Sequence, residues 1–345
     1  MAGRRSHFAI EAPPFALCAL MVVIGATTSA LAHIRADGLY LPYLSTAVAI
    51  TFLSTLCFVF LEVAQLARSG EEDPLRKVGR KLQARLSFLL LPAVALPLFL
   101  ASFAAAKSSI PFLVGYSWDG FWAAADRLLF GDDAWRIAHR IFGSSGMRFW
   151  EWFYTVAWGG ALFCSSAFVA LYSKPRKVGV FFTAMFATWI VGGCIVAYAF
   201  SAAGPVFAHL FEPAVGRQFD PLTKLLQGQL GHGAVAQTQR YLASVVGTHI
   251  AEKGGGISAM PSMHLAAAAV YVFAARRSLW IIPATLFWIV IFVGSAYFGY
   301  HYAVDGIAGA LVAGLCWVAS AAWYRMFDQE GSNSAAELHD LAVTR

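Results

Sequence analysis

Residues 253–273, "KGGGISAMPSMHLAAAAVYVF", carry three glycines through Ser-Ala-Met-Pro-Ser-Met-His and directly into an unbroken apolar run. The apolar run reads as a helix suited to lipid, and Pro261 suits its first turn, where no backbone N–H is needed. A histidine at the mouth of such a helix is expensive beside hydrocarbon and marks a functional position by default. His264 therefore raises two questions, about the solvent of this chain and about its chemistry.

Composition answers the first. The 345 residues are 59% hydrophobic and 13% charged, a balance that excludes an ordinary water-facing globule. Apolar windows near the roughly 20 residues that a bilayer demands recur along the chain. They fall near Phe15–Ala32, Leu41–Ala67, Leu86–Ala106, Phe149–Tyr172, Val178–Phe200, Pro261–Ala275, Leu279–Phe298 and Tyr302–Tyr324. None alternates apolar and polar residues with period two, so no strand is expected. The fold expected is all-α, a polytopic membrane protein of about eight transmembrane helices. Its organisation divides into residues 1–85, two N-terminal helices and a basic connection; 86–325, a six-helix core; and 326–345, a polar tail.

The cations set the expected orientation. Short connections and tails hold Arg4 and Arg5, six Lys and Arg between residues 68 and 85, three between 173 and 177, then Arg276, Arg277 and Arg325. The remainder, Arg345 apart, lie mainly in two long loops, residues 107–148 and 201–260. Cations in short loops mark the cytoplasmic face, so both termini are expected inside and the long loops outside, in a bacterial inner membrane. The net charge of +6 then reads as topology and contact with anionic lipid, with no need for nucleic acid. Ala30-Leu31-Ala32 resembles a signal-peptidase site, yet the preceding apolar run exceeds the usual ~7–15 residues, and the first helix is expected to remain. All five cysteines fall inside apolar spans and read as small buried apolar residues; neither disulfides nor zinc are expected. "GYSWDGFWAAADRLLFGDDAWRIAHRIFG", residues 115–143, reads as an amphipathic helix at the membrane surface, with a lid as the sharper alternative.

A second stretch, "GSAYFGYHYAVDGIAGALVAG" at 294–314, places His301 and Asp305 four residues apart, on one face of a helix. A carboxylate there is suited to holding the imidazole's tautomer and stabilising its charged form. The chain crosses inward after His264, turns at Arg276-Arg277 and returns, so all three groups are expected at one rim of the bundle. Glycines 254–256 allow close backbone approach, and the following helix start offers free N–H groups and a positive dipole end, which suit a phosphate. Ser262 adds a hydroxyl. Two histidines beside a phosphate divide the work: one attacks phosphorus, the other protonates the departing alkoxide. With Asp305 beside it, His301 is the better nucleophile and His264 the acid. Each feature alone has a plainer reading: an interfacial histidine, a loop, a structural helix pair or half a metal site. Their joint occurrence favours chemistry. No further metal ligand is evident, so neither metal nor cofactor is expected.

"AMPSMH" followed by "YFGYHYAVD" resembles the second and third signature motifs of the type 2 phosphatidic acid phosphatase superfamily. The resemblance spans about Leu86–Tyr324 and implies a six-helix membrane enzyme that handles lipid phosphates without a metal. It carries the nucleophile onto His301, its supporting carboxylate onto Asp305, the acid onto His264 and a phosphate contact onto Ser262. Two departures stand out. The family's first motif, a lysine with Arg-Pro seven residues later, is absent, and the arginine six positions before the third-motif histidine is Ser295. Other cations must then balance phosphate, and Arg217 and Lys253 are the candidates chosen from Arg217, Lys224, Arg240 and Lys253.

"GGGISAMPSMH", "HYAVD" and the upstream "FSAAGPVF" resemble, within the superfamily, the inositol phosphorylceramide synthase branch, whose members move a phosphoalcohol headgroup between lipids. "GPVF" suits a rigid entrance to the site or a plain helix stop. The expected partners are a lipid phosphate or phospholipid, a lipid alcohol acceptor and the membrane. Hydrolysis of a lipid phosphate is the alternative within the class. From another class comes a transporter or lipid-binding protein, although the polar groups gather at the rim and not midway along the spans.

Overall fold

The computed structural model describes residues 2–144, 146–231 and 233–343, with side chains among them from residue 10 to residue 326. Helices α1 (Ala2–Leu31) and α2 (Tyr40–Arg68) lead into the short α3 (Pro74–Gln83). The carboxylate of Asp73 caps α3 by accepting the Arg76 N–H, which satisfies a donor that the first helical turn leaves orphaned. Then follow α4 (Leu86–Leu113), α5 (Asp119–Phe130), α6 (Ala134–Phe142), α7 (Met147–Tyr172) and α8 (Pro175–Ala199). The second long connection holds α9 (Asp220–Leu230) and α10 (Ala234–Val245). Helices α11 (Met263–Ala275), α12 (Ile281–Tyr297) and α13 (Ala303–Val343) close the chain. Among the described residues the extended structure is a lone bridge between Arg35 and Ile250.

Among the described residues six helices, α1, α2, α4, α7, α8 and α13, are long and apolar enough to cross a bilayer. Helices α11 and α12, at 13 and 17 residues, fall short of the roughly 20 needed. The expected eight spans are thus six by length, with two shorter apolar helices beside them. The reason for α11 is local: Pro261 and Ser262 belong to the loop, not to the first turn, and the helix begins at Met263. Large apolar side chains face outward along the spans, with Phe60 72% and Leu315 73% exposed, a surface that suits lipid and not water.

The interior is built on close approach. Phe99 of α4 stacks on Phe186 of α8 with ring centroids 4.4 Å apart, and Ala266, Ala267 and Ala268 of α11 are wholly buried. Small residues let helices in lipid pack by van der Waals contact, since hydrocarbon supplies no hydrophobic drive between them. Gly309 of α13 is one close approach, because a Cβ there would sit 2.5 Å from the Ser262 carbonyl oxygen. The N-terminal hairpin is part of the same body: Cys18 and Met21 share one hydrophobic cluster with α4, α8 and α11. Cys18, Cys194 and Cys316 are buried, as expected of small apolar residues, whereas Cys57 and Cys164 face outward.

Residues 115–143 depart from a single surface helix. They form α5 and α6 with Gly131 between them, and α5 keeps Phe121, Leu128 and Leu129 outward while burying Asp119 and Asp126 completely or nearly so.

Replacing Gly309 by alanine is expected to push α13 off the start of α11 and cost about 1–3 kcal/mol. Thermal unfolding in detergent checks this.

Candidate active site

Three buried carboxylates organise the rim of the bundle. Asp119 accepts the N–H groups of Ala203 and Gly204, each at 2.7 Å, and the Tyr302 hydroxyl at 2.9 Å. Asp126 accepts the N–H groups of Ala303 and Val304, both at 2.9 Å, and so caps α13 from a different helix. Asp305 Oδ2 accepts the Tyr302 N–H at 2.8 Å. Burial, the two flanking N–H bonds notwithstanding, pushes the Asp126 carboxyl up to about 6, with Asp305 and Asp133 adding repulsion. Burial likewise raises Asp119.

The backbone thus pinned presents His301, only 5% exposed. Its Nδ1 lies 2.8 Å from the Ala259 carbonyl oxygen and 3.6 Å from Asp305 Oδ2. A carbonyl oxygen is acceptor only, so Nδ1 carries the proton and donates, leaving the Nε2 lone pair free. The tautomer is therefore held mainly by Ala259 and not by Asp305, whose carboxylate is committed to the Tyr302 N–H. Ala259 is itself clamped, its N–H donating to the Ala202 carbonyl at 2.8 Å.

His264 lies in the first turn of α11. The structure brings its ring to within 5.9 Å of the His301 ring, centroid to centroid. A π-helical turn at Phe153–Ala157 re-aims the side chains of α7, as such turns do near many functional sites. Tyr154 stacks on the His264 ring at 4.8 Å, Trp158 lies against it at 4.1 Å, and the indole N–H of Trp158 donates to the His264 carbonyl. The Ser262 N–H donates to the Asp305 carbonyl at 2.9 Å, tying the two motifs by their backbones.

Both histidines line a cavity of about 270 Å³ whose two ends differ. Lys107, Lys253, Gly254, Gly255 and Ser258 stand at the histidine end; Leu100, Phe103, Leu162, Phe163 and Trp189 form the apolar remainder. Lys107 escaped sequence reading because it directly follows the apolar window ending at Ala106 and lacks a following Arg-Pro pair. What brings it in is the glycine run: Gly256, at φ +79°, passes so near the Lys107 backbone that a Cβ would be 3.0 Å away. A lysine ending an apolar span, ahead of a glycine-rich loop, is the signal that was available.

The other expected contacts are placed differently. Lys253 lines the cavity, but its ammonium donates to Thr46 Oγ1 at 2.8 Å and to the Pro42 carbonyl at 3.1 Å. Ser262 is wholly buried, with a hydroxyl lacking any partner, and is not among the cavity-lining residues. Arg217 is exposed on a turn of 3-10 helix at Arg217–Phe219 and does not line the cavity. Ser295, where the family's motif has arginine, is buried and donates to the Phe292 carbonyl. "GPVF" holds neither alternative alone: Gly204 N–H is fastened to Asp119, and the Val206 N–H donates to the Gly299 carbonyl.

The description of the PAP2 superfamily matches residues 123–319, more than half of the chain, and the chain belongs to that superfamily. It is accordingly an enzyme of phosphatase or phosphotransferase type with a lipid-phosphate class of substrate and a membrane setting. No match was found among curated proteins or solved structures.

The Asp126 carboxyl gives a pH signature. Its proton is held more tightly folded than unfolded, so the associated stability is complete below the ordinary carboxylate value and is lost as pH rises through about 6. Relative to Asp126→Asn, which does not ionise, the unaltered protein is expected to lose up to about 3 kcal/mol between about pH 4 and 7. Paired melting curves across that range test the sign.

Proposed function

We propose that this enzyme moves a phosphoalcohol headgroup from a phospholipid to a lipid alcohol through a phosphohistidine on His301. The observation that carries the reading is the pair of imidazoles facing one cavity, with His301 Nδ1–H spent on Ala259 and its Nε2 lone pair free. In the first step Nε2 forms a bond to phosphorus while the phosphorus–oxygen bond to the lipid alcohol breaks. His264 supplies the proton that the departing alkoxide takes. In the second step an acceptor hydroxyl gives its proton to His264, its oxygen bonds to phosphorus, and the nitrogen–phosphorus bond breaks.

The lysines supply the charge that the missing arginines would have given. Lys107 stands at the histidine end with no need of a guanidinium fork, since an ammonium serves as a point charge toward phosphate. Lys253, fastened to α2, adds to the field. Ser262 and Asp305 act from behind, through the backbone link that sets His301 against α11. Arg217, being outside the cavity, is assigned to long-range attraction of anionic headgroups.

Transfer is preferred to hydrolysis because the aromatic lining next to the histidines favours a lipid alcohol over water. The sequence resemblance to the inositol phosphorylceramide synthase branch supports the same choice. The concentration of cations in the short connections supports placing the termini in the cytoplasm and the reaction on the opposite side. Hydrolysis remains the second reading, since water entering from the rim would accept the same phosphoryl group.

Protein incubated with headgroup-labelled phospholipid, with and without ceramide or another lipid alcohol, is expected to yield a labelled lipid product only with the acceptor. Free phosphate or free headgroup phosphate as the sole product would select hydrolysis. His301→Ala is expected to abolish turnover and alkali-stable labelling of the protein. His264→Ala is expected to slow turnover by about 10²–10⁴-fold, and Lys107→Met to weaken substrate binding. Full activity in H301A would remove the mechanism.

A further inference from the structure

The family match starts at residue 123, yet part of the cavity wall comes from before it. Tyr43 of α2 and Leu100, Phe103, Ala104 and Lys107 of α4 all line the space in front of the histidines. Helix α2 is seated firmly there: Ala47, one turn beyond Tyr43, is wholly buried, and α2 packs along both α4 and α7. Two bonds fasten its end to the glycine loop, Gly254 N–H to the Tyr43 hydroxyl at 2.9 Å and Lys253 to Thr46. The cleft between α4 and α7 is thereby covered on its α2 side.

The shape of the covered space is specific. Along α4 the lining runs from Lys107 at the rim back to Leu100, seven residues or about 10 Å of helix. Along α7 it runs from Trp158 to Leu162 and Phe163, and Trp189 of α8 closes it at depth. The lining thus passes from the cationic, histidine-bearing end to an apolar stretch along α4 and α7.

Gly159 lies in that wall, within helix Met147–Tyr172, where glycine costs about 1 kcal/mol relative to alanine. Packing does not explain it: a Cβ at Gly159 would meet nothing within 4 Å. Gly160 has equally open surroundings but does not line the cavity. What Gly159 preserves is volume in the cavity that His264 also lines.

We propose that this apolar stretch is a slot for one alkyl chain of the lipid reacting at His301, walled from the surrounding lipid by α2 and kept open by Gly159. The inference rests on the phosphotransfer reading for what occupies the histidine end. Its chemistry is that of a single-chain-accepting pocket: the charged head meets Lys107 and the imidazoles, and the chain lies against Phe103, Leu162 and Trp189.

The test uses the full chain in nanodiscs of uncharged lipid and a long-chain alkyl phosphate bearing a mid-chain diazirine. After irradiation, mass spectrometry is expected to find the label on slot residues such as Leu162, Phe163 and Trp189. Gly159→Leu is expected to lower that labelling about tenfold, the equivalent of excluding about two methylenes, while Gly160→Leu leaves it unchanged. His301→Ala keeps the label on the same slot residues, because placing the chain needs no nucleophile. Label confined to outward residues such as Leu53 and Phe60, or unaltered labelling in G159L, overturns the slot. Should G159L fail to assemble, the labelling map of the unaltered protein decides alone. Turnover by H301A would sink the phosphohistidine reading separately, since the label is read without catalysis.

Discussion

A backbone N–H that enters the interior of a membrane protein must find an acceptor, because hydrocarbon offers none and an unmade bond there costs several kcal/mol. The rim of this bundle concentrates such donors: the start of α13, the residue preceding it and the loop after α8. Asp119, Asp126 and Asp305 take them up, together with the Tyr302 hydroxyl. Two of the three come from α5, so a helix with an outward apolar face also fixes the register of the last span. Everything that follows, including which way the His301 ring points, depends on those bonds.

This arrangement separates two roles that a sequence merges. Asp305 stands four residues after His301 and looks like the partner of its imidazole. Its nearer oxygen is 3.6 Å from Nδ1, whereas the Ala259 carbonyl is at 2.8 Å. The carboxylate stabilises the backbone on which the histidine rides, and a main-chain carbonyl on another segment selects the tautomer. A carbonyl suits that role because it accepts without ever ionising, so the Nε2 lone pair is presented regardless of the state of its neighbours.

The charge around the histidines follows a similar economy. In a partly buried space a cation is felt strongly, and Lys107, supplied by the end of an apolar helix, needs no additional arginine to face an anion. Its position depends on Gly256 passing its backbone closely. Helix α2, which precedes the family match, completes the same cavity through Tyr43 and the anchoring of Lys253.

From residue order alone came the all-helical membrane class, most span positions, and the meeting of His264, His301 and Asp305 in one region, because apolar run length, chain reversal and i,i+4 spacing can be read along the chain. The same order left α11 two residues too long, took 115–143 for one surface helix, and did not reveal that Lys107 lines the cavity while Arg217 stays outside it. Those points turn on distances between segments far apart in the chain, which composition does not encode: a carbonyl at residue 259 meeting a ring at 301, or a glycine at 256 drawing in a lysine at 107. Only the folded bundle decides them, since in lipid the pairing of each polar group is a global requirement and the partner is found wherever packing leaves it.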